Sequence, residues 1–250
     1  MKEIDDVAKL YVKYKIFPDG CYSSGSPVES FLRLYPDNYY SKELKEFLKF
    51  HTYSSIQRGA DLPWWGCNYF NSIPSKRTMI ISQDSLSKDA GSIVFWAHLF
   101  SVIKSEDDYK CYTSQLNDTD LFKFNSWYKV YNQLNNWKLD LSCCFITDAA
   151  KVYRHGSWKD RDFDKQRSKE LLLEEIEACK PNLIIILGSA PLILLNPDLR
   201  YADIIDSGKI INISNIKCIV SPFFIGMGIT QLNFKERLAI ASRLILDAST

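Results

Sequence analysis

The chain has 250 residues, 46% of them hydrophobic, and carries 31 Lys+Arg against 30 Asp+Glu for a formal net charge of +1. The length suits one large α/β domain, and the charge balance excludes a uniformly basic nucleic-acid binder, leaving room for a local basic surface. The opening MKEIDDVAKLYVKYKIF has no apolar signal core, and no run approaches the roughly 18 apolar residues of a membrane span, so a cytoplasmic protein with no membrane partner is expected.

Along the chain, Glu3 to Ile16 is a predicted helix, with Val7, Leu10, Tyr11 and Tyr14 at helical spacing. Ser41 to Phe50 is a second, capped by Ser41, and the stretch from Gly59 to Phe70 reads as loop. Residues 1–70 thus form a helical extension. From Arg77 the pattern changes to short apolar runs separated by helical segments. RTMIIS (Arg77 to Ser82) is the first predicted strand, followed by a helix from about Ala90 to Lys104. LSCCFIT (Leu141 to Thr147) is the second strand, and Gln166 to Cys179 an amphipathic helix with Leu172, Ile176 and Cys179 inward. NLIIILG (Asn182 to Gly188) is apolar on both faces, as a buried parallel strand requires. KCIVSP (Lys217 to Pro222) is the fourth. Asn233 caps a last helix with Glu236 in capping-box position and Phe234, Leu238, Ala241 and Ile245 as its buried stripe.

Strands alternating with helices predict an α/β fold: a four-stranded parallel sheet core flanked by helices on both faces, with the helical N-terminal extension, all in a single domain over 1–250. Functional residues of such sheets gather past the carboxyl ends of the strands. That rule selects SQDS after Ile81, TDAAK after Ile146, GSAP after Leu187 and SPFF after Val220. The seven cysteines include no C-x-x-C pair, which gives no sign of a disulfide framework or zinc site. Cys143, Cys144, Cys179 and Cys218 lie in or beside apolar runs and are expected in the core.

From about Pro63 to Leu246, these loops resemble, in order and spacing, the motifs of the uracil-DNA glycosylase-like superfamily. Ser82-Gln83-Asp84-Ser85 is similar to its G-Q-D-P-Y motif, and Thr147-Asp148-Ala149-Ala150-Lys151 to its T-N-x-x-K or T-D-x-x-K segment. Leu171 to Pro191 matches the family's helix-K-P-strand-L-G-S run, Ser221-Pro222-Phe223 stands where the family has H-P-S, and Pro63-Trp64-Trp65-Gly66 is similar to a P-W-G segment of some branches. The resemblance implies a monofunctional DNA glycosylase that flips out one nucleotide and hydrolyses its base–sugar bond, with DNA as partner, no cofactor and no metal, acting as a monomer. It also implies a repair function. Some branches carry an iron–sulfur cluster, of which the cysteine spacing here gives no sign.

The resemblance assigns catalysis to Asp84 and Ser221. Hydrolysis of an N-glycosidic bond builds positive charge on the sugar, which a carboxylate such as Asp84 stabilises while orienting water. Asp84 is equally a residue type that caps a turn. Gln83 and Asp148 stand at base-binding positions. An ionised aspartate only accepts hydrogen bonds, which suits the exocyclic amine of a cytosine; the alternative is that Asp148 caps the next segment or pairs with Lys151. Ser221 replaces the family's His, so it donates a hydrogen bond to the leaving base without carrying charge. A modified cytosine, of the kind found in viral DNA, is therefore a candidate base beside uracil, and antiviral defence a candidate role.

Phe95, Trp96 and Phe100, with Trp65, are candidates for stacking on the flipped base, against the alternative that they are core. Lys151, Arg154, Lys159 and Arg161, around His155, form a basic loop for phosphate contacts, and Ser189 is placed with them as DNA-binding. Phe223 and Phe224, with Ile225 and Met227, are candidates for an apolar wedge into the vacated stack, with Gly226 and Gly228 letting the loop approach DNA. The main rival is a non-catalytic DNA-binding protein on the same fold; a further rival is an α/β hydrolase of free nucleosides or nucleotides.

Overall fold

The computed structural model describes residues 63–86, 93–97, 99–100, 103–113, 124–154 and 165–249, together with residues 3, 6, 7, 9, 10 and 13 of an N-terminal helical segment. The predicted helix from Ser41 to Phe50 lies outside the described residues.

The protein is built on one six-stranded mixed sheet of order β1-β3-β2-β4-β6-β5. The strands are β1 (Trp64–Trp65), β2 (Thr78–Leu86), β3 (Cys144–Arg154), β4 (Leu183–Leu187), β5 (Ile211–Ile213) and β6 (Ile216–Ser221). The four predicted strands are the inner ones, and all pair in parallel. Two antiparallel edge strands, absent from the prediction, complete the sheet. β1 lies in the stretch predicted as loop, so the sheet begins before residue 70. Gly66 seats it: a Cβ there would stand 2.1 Å from the Leu141 carbonyl oxygen. β5 reaches β6 through a two-residue turn with Ser214 and Asn215 at φ 51° and 64°, the paired positive angles of a type I′ hairpin.

Helices cover both faces, as predicted. On one side α1 (Ile93–Ala97), α2 (Glu106–Thr113), α3 (Phe124–Asn136) and α7 (Phe234–Ser249) pack on Ile80, Ile146, Ile185 and Ile219. On the other, α4 (Lys165–Cys179), α5 (Ser189–Leu195) and α6 (Tyr201–Ser207) pack on Met79, Phe145, Ile184 and Ile186. Alternate residues of each strand supply the two cores, as a period of two dictates. The N-terminal helical segment joins the second core through buried Val7 and Leu10, and Glu3 pairs with Arg77 at 2.9 Å and with Lys180 at 3.3 Å.

The predicted helix from about Ala90 to Lys104 is replaced, among the described residues, by the short α1 and a turn at Leu99–Phe100. α2 and α3 are further helices beyond those expected from the sequence. The last helix has its predicted stripe, with Ala241 and Ile245 buried and Phe234 and Leu238 packed against them. Asn233 precedes it at φ 57° and its carbonyl accepts from the Arg237 amide. That left-handed angle, which Asn tolerates, differs from the extended backbone of an ordinary N-cap.

Candidate functional site

The connection after β2 runs to β3 on one side and that after β4 runs to β5 and then β6 on the other, so the order of the sheet reverses between β2 and β4. The carboxyl ends flanking such a reversal are where α/β sheets open a crevice. The pairing agrees. The β2–β4 ladder ends at Ile81–Ile186, while β2–β3 continues to Leu86–Arg154. The two strands therefore part just before Ser82.

The prediction ended β2 at Ser82 and β3 at Thr147, with the motifs in loops beyond. Instead both ladders run through the motifs, with Ser82 paired to Asp148 and Asp84 to Ala150. Backbone pairing is indifferent to side-chain polarity, so the strands outlast their apolar runs. The register then slips: Asp84 and Ser85 are consecutive, but their partners Ala150 and Tyr153 are three apart. Lys151 and Val152 are thus the extra residues of a bulge, a device that re-aims a strand near its functional end.

Asp148 is 2% exposed and Ser82 1%. The Ser82 hydroxyl donates to Asp148 Oδ1, so this buried carboxylate has a donor, as burial of such a group demands. Asp148 shares the sheet face of Ile80 and Ile146, two residues along on each strand. Asp84, two residues beyond Ser82, is described by its backbone alone. Gln83 is half-buried and, by alternation, belongs to the opposite face from Ser82. On that opposite face the Thr147 hydroxyl donates to Glu175 Oε2 at 2.9 Å, with both residues fully buried.

The remaining loops are seated from their own strands. Gly188 ends β4 at φ 84°, an angle that favours glycine, and its amide donates to the Ser221 carbonyl at 2.8 Å. Ser189 follows as the half-buried first residue of α5. Ser221 is fully buried, and its hydroxyl donates to the Pro222 carbonyl at 3.1 Å. The hydroxyl assigned to the leaving base is thus engaged within its own chain.

Several aromatic assignments move to the core. Trp96 is 1% exposed and lies beside Tyr109. Phe100 is buried and packs edge-on to Trp64 at 5.8 Å. Both are accordingly packing residues in this conformation rather than open stacking faces. Trp65 stacks on Phe145 at 5.9 Å. Phe95 belongs to α1, but its side chain lies outside the described set. Phe224, assigned to the wedge, is buried edge-on against Trp137 at 5.4 Å, and Ile225 is buried as well; Phe223 is half-buried. Gly228 serves the loop's own closure, since a Cβ there would stand 1.9 Å from the Phe223 carbonyl oxygen. Among its described residues, the apolar side chains this loop exposes are Ile229, at 41%, and Leu232, at 80%. Neither stands out in the sequence, because hydropathy ranks a residue without saying which side of a loop it takes.

Lys151 and Arg154 lie on β3 at and beyond the bulge, described by backbone only. Lys159, Arg161, His155 and His98 lie outside the described residues. Among the described residues no helix is long and apolar enough to cross a membrane. Comparison with protein-family models and with curated proteins finds no match for the chain.

Proposed function

We propose that the protein is a monofunctional DNA glycosylase that hydrolyses the N-glycosidic bond of a flipped-out pyrimidine, uracil or a modified cytosine. The observation that carries the reading is the pairing of Ser82 with Asp148 on adjacent strands where β2 and β4 part, with Asp84 two residues further along β2. In the proposed reaction the bond between the sugar C1′ and the base nitrogen breaks and its electron pair leaves with the base. Asp84 stabilises the resulting sugar cation and orients the water that adds to C1′, taking up the proton that water loses; the departed base anion is protonated in turn from solvent. Asp148 accepts a hydrogen bond from the base edge. Lys151 and Arg154, at and beyond the bulge, contact phosphate.

Ser221 favours a second reading, DNA binding without catalysis, because its hydroxyl is engaged by Pro222. Removing one donor to developing charge costs about a hundredfold or more in comparable sites.

The test is incubation of the wild type and Asp84→Ala with oligonucleotides carrying uracil, hydroxymethylcytosine or glucosylated hydroxymethylcytosine, followed by alkaline cleavage of abasic sites. Cleavage by the wild type, reduced about 100-fold or more in Asp84→Ala, is the expected result. Salt-sensitive DNA binding with no cleavage of any substrate selects the second reading.

A further inference from the structure

We propose that the N-terminal helical segment is the resident ligand of a preformed groove, an interaction surface for an amphipathic helix that is acidic at its amino end and basic at its carboxyl end. The occupant is the chain's own residues 3–13. The inference goes beyond the glycosylase reading and does not depend on it.

The core builds the groove without help from the segment. Arg77, just before β2, is 3% exposed. Its guanidinium donates to the Cys179 and Ser72 carbonyls and lies over the Tyr69 and Phe70 rings, 5.5 and 6.0 Å from their centroids. All four contacts come from outside the segment, so the planar fork is already set before a carboxylate arrives. Among the described residues, the carboxylate that meets it is Glu3, at 2.9 Å. Lys180 adds a second cation to the same carboxylate at 3.3 Å.

The segment answers the groove point for point. Glu3, Val7 and Leu10 are spaced along one face of a helix, and Val7 and Leu10 are buried in the second core. At the far end, Lys13 Nζ donates to both carboxylate oxygens of Glu174, at 2.6 and 2.8 Å. Glu3 meets Lys180 just past the end of α4 and Lys13 meets Glu174 within it, so the segment runs antiparallel to α4. Charge fixes that direction, because a reversed helix would set Glu3 against Glu174 and Lys13 against Arg77 and Lys180. Apolar anchors at helical spacing between opposite charges are the means of helix-in-groove recognition, with the charges supplying orientation. The segment contributes no strand to the sheet, so it can leave without breaking a ladder.

The test uses the full chain carrying Val7→Asp and Leu10→Asp, which unseats the segment, and a fluorescein-labelled peptide of residues 1–16. Fluorescence anisotropy reads binding, and thermal unfolding reports whether the variant is folded. The peptide is expected to bind the variant, and to bind the wild type, whose groove is filled from within, at least about tenfold more weakly. A Lys13→Glu peptide is expected to bind about fivefold more weakly, the upper scale of an exposed ion pair, and to recover on a variant that also carries Glu174→Lys. Equal binding to variant and wild type overturns the proposal, as does binding blind to the Glu174 swap or a folded variant that ignores the peptide. If the variant does not fold, hydrogen exchange on the wild type decides. Segment amides that exchange well before those of β4 show a helix that leaves a standing core. Amides of the two that exchange together make the segment part of that core and overturn the proposal.

Discussion

Two buried carboxylates sit on opposite faces of the sheet, each held by a strand hydroxyl, and the two pairings differ in what they join. Asp148 comes from β3 and is held by Ser82 of the neighbouring strand, beside the point where the sheet opens. Glu175 comes from α4 and is held by Thr147, which binds a helix to the sheet beneath it. Thr147 and Asp148 are consecutive, so one step along the strand separates the two environments. Burial alone therefore does not mark a functional acid. Asp148 is tied within the sheet where the β2–β4 ladder has ended, while Glu175 ties two layers together.

The contrast can be broken at either carboxylate. Asp148→Ala is expected to lower excision of an amine-bearing base by about 100-fold or more while the protein remains folded, as read by abasic-site cleavage alongside thermal unfolding. Glu175→Ala should do the reverse. Removing an acceptor and a buried side chain together costs about 3 kcal/mol, a fall in Tm of roughly 6–12 °C for a domain of this size. Excision per folded molecule should stay within about twofold of the wild type. If Glu175→Ala abolished excision at unchanged Tm, the division between the two faces would be wrong. Glu175→Gln sharpens the test, because it keeps an acceptor and the volume; its cost should be less than about 1.5 kcal/mol, measured by denaturant unfolding.

The two sites were unequally legible in the sequence. The apolar run Leu183–Leu187 announced a strand buried on both faces, and the structure buries all five of its residues. α4 was equally plain in outline, yet Glu175 vanished among its acidic neighbours, because a helix period places it beside buried Leu171 and Leu172 and only the docked sheet supplies Thr147. α3 did carry a signal, with Trp127, Val130 and Leu134 at helical spacing and all buried. The polar residues between them mask that stripe. β1 carried almost none, since a two-residue edge strand has no alternation to display and owes its place to the close approach of Gly66. At the candidate site, Asp148 was legible from the motif order, but its bond to Ser82 was not, because strand register is a tertiary property.

Glu3 offers a third carboxylate, at the rim of the same core as Glu175, and the smallest of these effects. Burial raises its pKa, but the Arg77 guanidinium, by hydrogen bond and charge, and Lys180 outweigh that and hold it below the ordinary 4.5. Arg77 is well placed to do so: its side chain is 4% exposed and donates to the Cys179 and Ser72 carbonyls, fixing it beneath the N-terminal segment. A folded-state pKa below the unfolded one means that the unfolded chain binds the extra proton as pH falls, so the pairing stabilises above about pH 4.5 and is lost below it as pH drops through the folded value. Glu3→Gln should accordingly lower Tm at pH 7 by a few degrees at most, corresponding to about 1 kcal/mol or less, and the gap from the wild type should close below pH 4.5. Salt should narrow it too, because the pair is only partly shielded from solvent. A gap that stayed constant from pH 7 to pH 3 would mean that the charge of Glu3 contributes nothing to docking the segment, which Val7, Leu10 and the Lys13–Glu174 pair would then hold.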